Sequence, residues 1–146
     1  MNTPVKYELA KLLKEKGFDT PTNRYYEHAL TSKKDYETND YKGAFGWKKG
    51  ETNLQTGYCK NNDGMSDLSN SNWYICSTPT ISEVVMWLYE KYGVWISVKI
   101  FSERFIFSVS EKVDTMGFDR FESEIRYNSP TEAYEEAIKY CLENII

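Results

Sequence analysis

The sequence predicts an α+β fold, a single domain with an antiparallel sheet and three helices packed on it. Two observations carry this. Residues 81–92 and 134–145 place their apolar side chains at helical spacing, each behind a capping-box start. Between them, residues 94–100 and 105–109 alternate with period two, the pattern of half-buried strands.

At the N-terminus, Thr3 is placed to cap a helix, Pro4 suits its first turn, and Gly17 followed by Phe18 reads as a stop. Val5, Leu9, Leu12 and Lys16 share one side with Leu13 beside them, an amphipathic helix of about four turns. The stretch 19–72 is rich in Tyr, Asn, Asp, Thr, Lys and Gly, and 30–72 reads as loop-rich. Short strands fit 24–30 and 55–60, Asn61-Asn62-Asp63-Gly64 is a turn signal, and 67–72 reads as loop.

Trp73-Tyr74-Ile75-Cys76 reads as a short strand, after which Thr80 and Glu83 form a capping box behind Pro79. Ile81, Val84, Val85, Leu88 and Tyr92 then mark a helix that Gly93 ends. In the first alternating strand Val94, Ile96, Val98 and Ile100 point one way; in the second Phe105, Phe107 and Val109 do. A turn at Ser102-Glu103 sets Ile100 against Phe105, Val98 against Phe107 and Ile96 against Val109, so one register puts all of these on one face. A third strand fits 120–127, with Phe121, Ile125 and Tyr127 inward and Arg120, Glu122, Glu124 and Arg126 outward. Ser129-Pro130-Thr131-Glu132 opens the last helix, with Tyr134, Ala137, Ile138, Cys141 and Ile145 as its buried stripe. The N-terminal strands are expected to extend this three-stranded meander. The length, 146 residues, suits one domain, 1–146.

Several function classes are disfavoured. The net charge is −4 and no basic stripe occurs, which argues against nucleic acid as a partner. The apolar run 84–89 is too short to cross a bilayer, and the charged first residues lack the apolar core of a signal peptide. Cys59, Cys76 and Cys141 give neither a disulfide framework nor a zinc motif, so a reducing cytoplasm is the expected compartment.

The Leu9-Ala10-Lys11 helix leading to Gly17-Phe18-Asp19, the pair Tyr25-Tyr26, Thr78-Pro79-Thr80 before Trp87-Leu88-Tyr89-Glu90-Lys91-Tyr92-Gly93-Val94-Trp95-Ile96, and the terminal Thr131-Glu132-Ala133-Tyr134-Glu135-Glu136-Ala137 together carry a resemblance. With these the chain resembles a family of small uncharacterised phage and prophage proteins typical of Bacteroidetes. The resemblance covers both ends and most of the C-terminal half, leaves out 30–72, and implies a context rather than an activity. The order helix, three strands, helix is also that of a double-stranded-RNA-binding domain. That module needs lysines where its last helix begins; here the start carries Glu132, Glu135 and Glu136, the reverse charge.

No catalytic constellation is legible. His28 is the only histidine and lacks a partner set for a dyad or a metal, and a strand or surface role is expected. Cys76 precedes a helix start, but burial as a strand residue is the expectation. Gly43, Gly46 and Gly50 fit neither a phosphate loop nor a dinucleotide fingerprint, and the 61–64 turn lacks calcium-loop ligands. No cofactor and no metal site are expected, and no enzymatic activity.

Two surfaces stand out. The outward sheet face would carry Trp95, Ile106, Lys99, Arg104, Arg120 and Arg126, unless the N-terminal half packs there. On the second helix, Met86 falls opposite the buried stripe with Trp87 at its edge, a pattern that suits a subunit contact. Aromatic residues make up 16% of the chain, a high share; a small strand-rich core uses aromatics, and Tyr and Trp also favour binding surfaces. The expected function is therefore binding, to a host protein or to a second copy in a homo-oligomer. The alternative is a small nucleotide signal of host defence, held by Tyr25, Tyr26, Trp73, Trp95 and Arg104 through stacking and phosphate contacts.

Overall fold

In the computed structural model, residues 1–30, 48–62, 73–113 and 117–146 are described. The loop expected at 67–72, the glycines at 43 and 46, the Asp63-Gly64 half of the turn and the side chain of Arg120 lie outside the described residues. The elements run α1 (Tyr7–Glu15), β1 (Thr22–Ala29), β2 (Thr52–Cys59), β3 (Trp73–Ser77), α2 (Ile81–Tyr92), β4 (Val94–Phe101), β5 (Arg104–Val113), β6 (Gly117–Glu122) and α3 (Pro130–Asn144). The fold is α+β, with two antiparallel three-stranded sheets ordered β2-β1-β3 and β4-β5-β6. The N-terminal strands thus form a sheet of their own and do not extend the meander. β1 is its centre, with both edges occupied by β2 and β3. By contact the chain divides into two compact units, Lys6–Thr78 and Met1–Val5 with Pro79–Ile146.

In the first unit α1 lies against β3. The helix stops in a Schellman motif: the Phe18 N–H donates to the Leu13 carbonyl, the Gly17 N–H donates to that of Lys14, and Gly17 sits at φ +83°. Phe18, the following apolar residue, is fully buried. The start is later than Thr3 suggests. Pro4 bridges Thr80 instead, the Val5 N–H donates to the Pro79 carbonyl and the Ile81 N–H to that of Thr3. Long-range pairing thus takes the backbone that a local cap would have used. The helix is capped by Lys6 without a side-chain hydrogen bond and buries Leu9, Ala10 and Leu13, while Leu12 and Lys16 stay half-buried.

In the second unit α2 packs on β4, and α3 packs on β4 and β5. The Thr80 capping box is complete, since Thr80 Oγ1 accepts from the Glu83 N–H and the Glu83 carboxylate accepts from the Thr80 N–H. Thr80→Ala is expected to cost about 1 kcal/mol, visible as a lowered thermal midpoint. At α3, Ser129 Oγ accepts from the Glu132 N–H, while the Glu132 carboxylate accepts from the Asn128 N–H. The β4–β5 register is the expected one, Ile96 opposite Val109, Val98 opposite Phe107 and Ile100 opposite Phe105. Its turn places both Ser102 and Glu103 at positive φ, 49° and 65°, where glycine or asparagine is usual. The cross-strand apolar pairs therefore hold a turn its own residues disfavour. Ile100, expected inward, is 71% exposed at the hairpin tip.

The third strand ends before its expected limit. The Ser123 N–H donates to the Phe107 carbonyl, and the Phe107 N–H donates to Ser123 Oγ, so a side chain replaces a ladder carbonyl. Pairing resumes only at Tyr127, which exchanges both backbone hydrogen bonds with Phe105. Residues 124–126 bulge out between these points, and Ile125, expected inward, is 66% exposed.

Candidate functional site

The C-terminal sheet is not evenly covered. Among the described residues α2 lies over β4 and α3 over β4 and β5, which leaves β6 at the margin of the helix layer. The uncovered flank is an open groove of about 430 Å³ between α3 and β6. Its floor is aromatic. Tyr140 of α3 stacks on Phe121 of β6 with ring centroids 4.1 Å apart and planes at 9°. Phe107 lies beneath both, 6.0 Å from Phe121 and 6.3 Å from Tyr140, and Tyr127 stacks against it at 5.9 Å.

The rim follows from helix geometry. Glu136, Lys139, Tyr140 and Glu143 recur at helical spacing along the face of α3 beside its buried stripe of Ala133, Ala137, Ile138, Cys141 and Leu142. The bulge supplies the opposite lip, Ser123, Glu124 and Ile125. Ser123 Oγ donates to the Ile125 carbonyl at 3.1 Å, which fixes the lip's turn. Burial raises the Tyr127 pKa, and the carboxylates of Glu136 and Glu132 raise it further. Three carboxylates and one ammonium line the groove, so its electrostatic character is acidic.

The residues expected to bind do not converge. Tyr25 and Tyr26 are neighbours on β1 and so point to opposite faces of their sheet. The Tyr26 ring meets Tyr7 of α1 edge-on at 5.7 Å, while Tyr25 lies over Gly57. Trp73 pairs with Ala29, four positions along β1 from Tyr25, about 13 Å away at the usual strand rise. In the other unit, Trp95 is half-exposed and meets Tyr89 edge-on at 5.5 Å. Arg104 is exposed and pairs with Phe101, six positions from Trp95, about 20 Å at the same rise. On α2, Met86 is exposed as expected, whereas Trp87 is buried against Tyr92 with the Lys91 ammonium over its ring. Trp87 lies three residues after Val84 and one before Leu88 and so joins the buried stripe of Ile81, Val84, Val85 and Leu88, whereas Tyr92, expected in that stripe, is 36% exposed.

On the outward sheet face, Ile106 and Ser108 are buried despite pointing away from the helices. There Lys99 pairs with Glu122 at 2.7 Å across β5, and the Ser97 and Ser108 hydroxyls share a hydrogen bond of 2.6 Å. Arg126 stacks over Phe101 at 4.6 Å.

His28 is a half-buried strand residue, stacked on Tyr7 at 4.8 Å with Nδ1 2.7 Å from Thr52 Oγ1. Among the described residues no three His, Cys, Asp or Glu side chains are grouped to hold a metal ion, and no helix is long and apolar enough to cross a membrane. Cys76 and Cys141 are fully buried. Burial pushes both thiols up to about 12, against a partial lowering of Cys76 by Lys14. The sign follows. The unfolded chain loses these protons near pH 9 and the folded chain near 12, so their contribution is intact below about pH 9 and lost as pH rises toward 12. Urea midpoints are expected to fall above about pH 9, and a Cys76→Ala/Cys141→Ala double variant to fall less steeply.

Of the groove residues, the sequence marks Phe107, Phe121 and Tyr127 as inward and Glu124 as outward, but not Glu136, Lys139, Tyr140 or Glu143 as a group. Their helical spacing was the available signal. Comparison of the chain with protein-family models, with curated proteins and with solved structures gives no match.

Proposed function

We propose that the protein acts by binding, without catalysis, and that it takes a segment of a partner protein into the groove between α3 and β6. The partner is a host-cell protein or a second copy of this chain, in keeping with the resemblance to phage and prophage proteins. The observation that carries this is the groove itself. Aromatic rings form its floor, Phe121 and Ile125 stand 39% and 66% exposed at its mouth, and it is open rather than enclosed. Exposed aromatic and aliphatic side chains beside a cleft are the composition of interface cores. A nucleotide signal is less well served, because its phosphates would meet Glu124, Glu136 and Glu143 with only Lys139 in compensation.

A photo-cross-linking side chain placed at Ile125 tests this in cells, with Tyr58, 62% exposed on β2, as the control position. The expected result is a discrete protein adduct from position 125 that is absent from position 58 and lost when Tyr140→Ala is added. Equal adducts from both positions, or an adduct indifferent to Tyr140→Ala in a folded variant, would contradict the proposal.

A further inference from the structure

The groove is asymmetric in charge as well as open. Glu136 and Glu143 stand about two turns apart on the α3 side, and Glu124 faces them from the bulge. Among the described residues Lys139 is the one cation of the lining. Between the carboxylates lie ring faces and edges, Tyr140 on Phe121 with Phe107 below. Carboxylates around aromatic rings favour a guanidinium or ammonium, through charge-assisted hydrogen bonds at the rim and ring–cation attraction at the floor. Within the chain, burial raises the Tyr127 phenol pKa and Glu136 of the rim, with Glu132 outside it, acts in the same direction.

The backbone adds a second constraint. β6 is an outer strand of its sheet, with β5 as its neighbour on the inner side. A segment added there would continue the ladder at the usual spacing of about 4.8 Å. Alternate side chains of that segment would fall on the Phe121 side of the sheet, where the groove lies. The run available is the length of β6, 6 residues, because the ladder is broken at the bulge that follows.

We infer that the groove selects an extended segment of a partner protein that presents a lysine or arginine side chain beside an apolar one, at alternate positions. This rests on the binding role proposed above for the same groove. The acidic rim excludes acidic segments and sets the side chain that specificity depends on, while the aromatic floor takes the apolar neighbour.

The test is selection of a displayed library of random peptides of about twelve residues, long enough to span a strand-addition site. Overlapping peptides of this chain are included, and the target is the full chain. The enriched pool is expected to carry Lys or Arg next to an apolar residue at alternate spacing. Affinity of the best peptide is expected to fall about tenfold or more in a Glu136→Gln/Glu143→Gln variant. Both glutamates are exposed, so the variant is expected to fold. Affinity should also weaken between about 50 mM and about 500 mM salt, as screening shortens. A neutral or acidic pool whose binding is lost in Tyr140→Ala would overturn the charge selection while leaving the groove as a binding site. Binding indifferent to Tyr140→Ala would overturn the groove itself and the inference with it. Dominance by peptides of this chain would make a second copy the occupant, and the partner-protein assignment would fall.

Discussion

Replacing Phe107 with alanine is expected to destabilise the protein by about 3–5 kcal/mol, the range for deleting a buried aromatic ring. Phe107 is 3% exposed at the centre of the middle strand and touches the rings of Phe121, Tyr127 and Tyr140. Its removal costs the transfer of the ring, the ring–ring contacts and the void left behind. The neighbours are tied to three different elements, so the cavity cannot close by moving one of them. Phe107→Leu keeps most of the volume and is expected to cost roughly 1.5 kcal/mol or less. Urea unfolding of both variants checks this. A Phe107→Ala loss near that of the leucine variant would mean that the site collapses freely and that the ring does not organise the groove floor.

Asn61→Leu is expected to be of similar severity for a different reason. Asn61 is 1% exposed. Its Nδ2 donates to the Phe18 carbonyl at 2.8 Å and its Oδ1 accepts from the Ser77 N–H at 2.9 Å. One side chain thus serves the end of α1 and the end of β3. Leucine fills nearly the same volume but removes both hydrogen bonds, the one to the Phe18 carbonyl and the one from the Ser77 N–H. At about 1–3 kcal/mol for each, the loss is expected to be roughly 2–6 kcal/mol. Hydrogen exchange at Ser77 is expected to speed up in the variant. A near-neutral change in stability would show that water reaches both groups and that Asn61 is only a turn residue, as its place in an Asn-Asn-Asp-Gly run suggests.

Much of the fold was legible because its signals are local or self-checking. The capping pair Thr80 and Glu83, the stop at Gly17-Phe18, and a register in which every apolar partner agrees all depend on residues close in sequence or on strict alternation. The break in the third strand was not legible for a specific reason. Between the Ser123–Phe107 and Tyr127–Phe105 contacts the outer strand has four steps against two on β5. The two added residues preserve parity, so Phe121 and Tyr127 keep the same face and the alternation looks uninterrupted while Ile125 is expelled. The late start of α1 was hidden because Thr3 and Pro4 satisfy a helix start locally but pair with the segment around Thr80.

The groove was illegible for a broader reason. It depends on the lateral position of two helices over three strands, α2 on β4 and α3 on β4 and β5. Each helix announces its own buried stripe, and neither sequence says over which strands it lies. The aromatic surplus raised the expectation of a binding surface, but Tyr25, Tyr26, Trp73 and Trp95 are spread along strands and Trp87 is buried in α2. Tyr140, next to buried Cys141, gave no outward sign of facing Phe121.

The measurement that bears most directly on the proposed role is a backbone amide chemical-shift titration of the labelled full chain with the strongest peptide selected from the random library. That peptide is chosen without reference to any surface, so the map is an independent locator. The expected result is perturbation concentrated at Phe121, Ser123, Ile125, Tyr127 and the α3 face from Glu136 to Glu143. Perturbation centred on β1–β3, or on the outward face at Trp95, Lys99 and Arg104, with the groove amides unmoved, would contradict it.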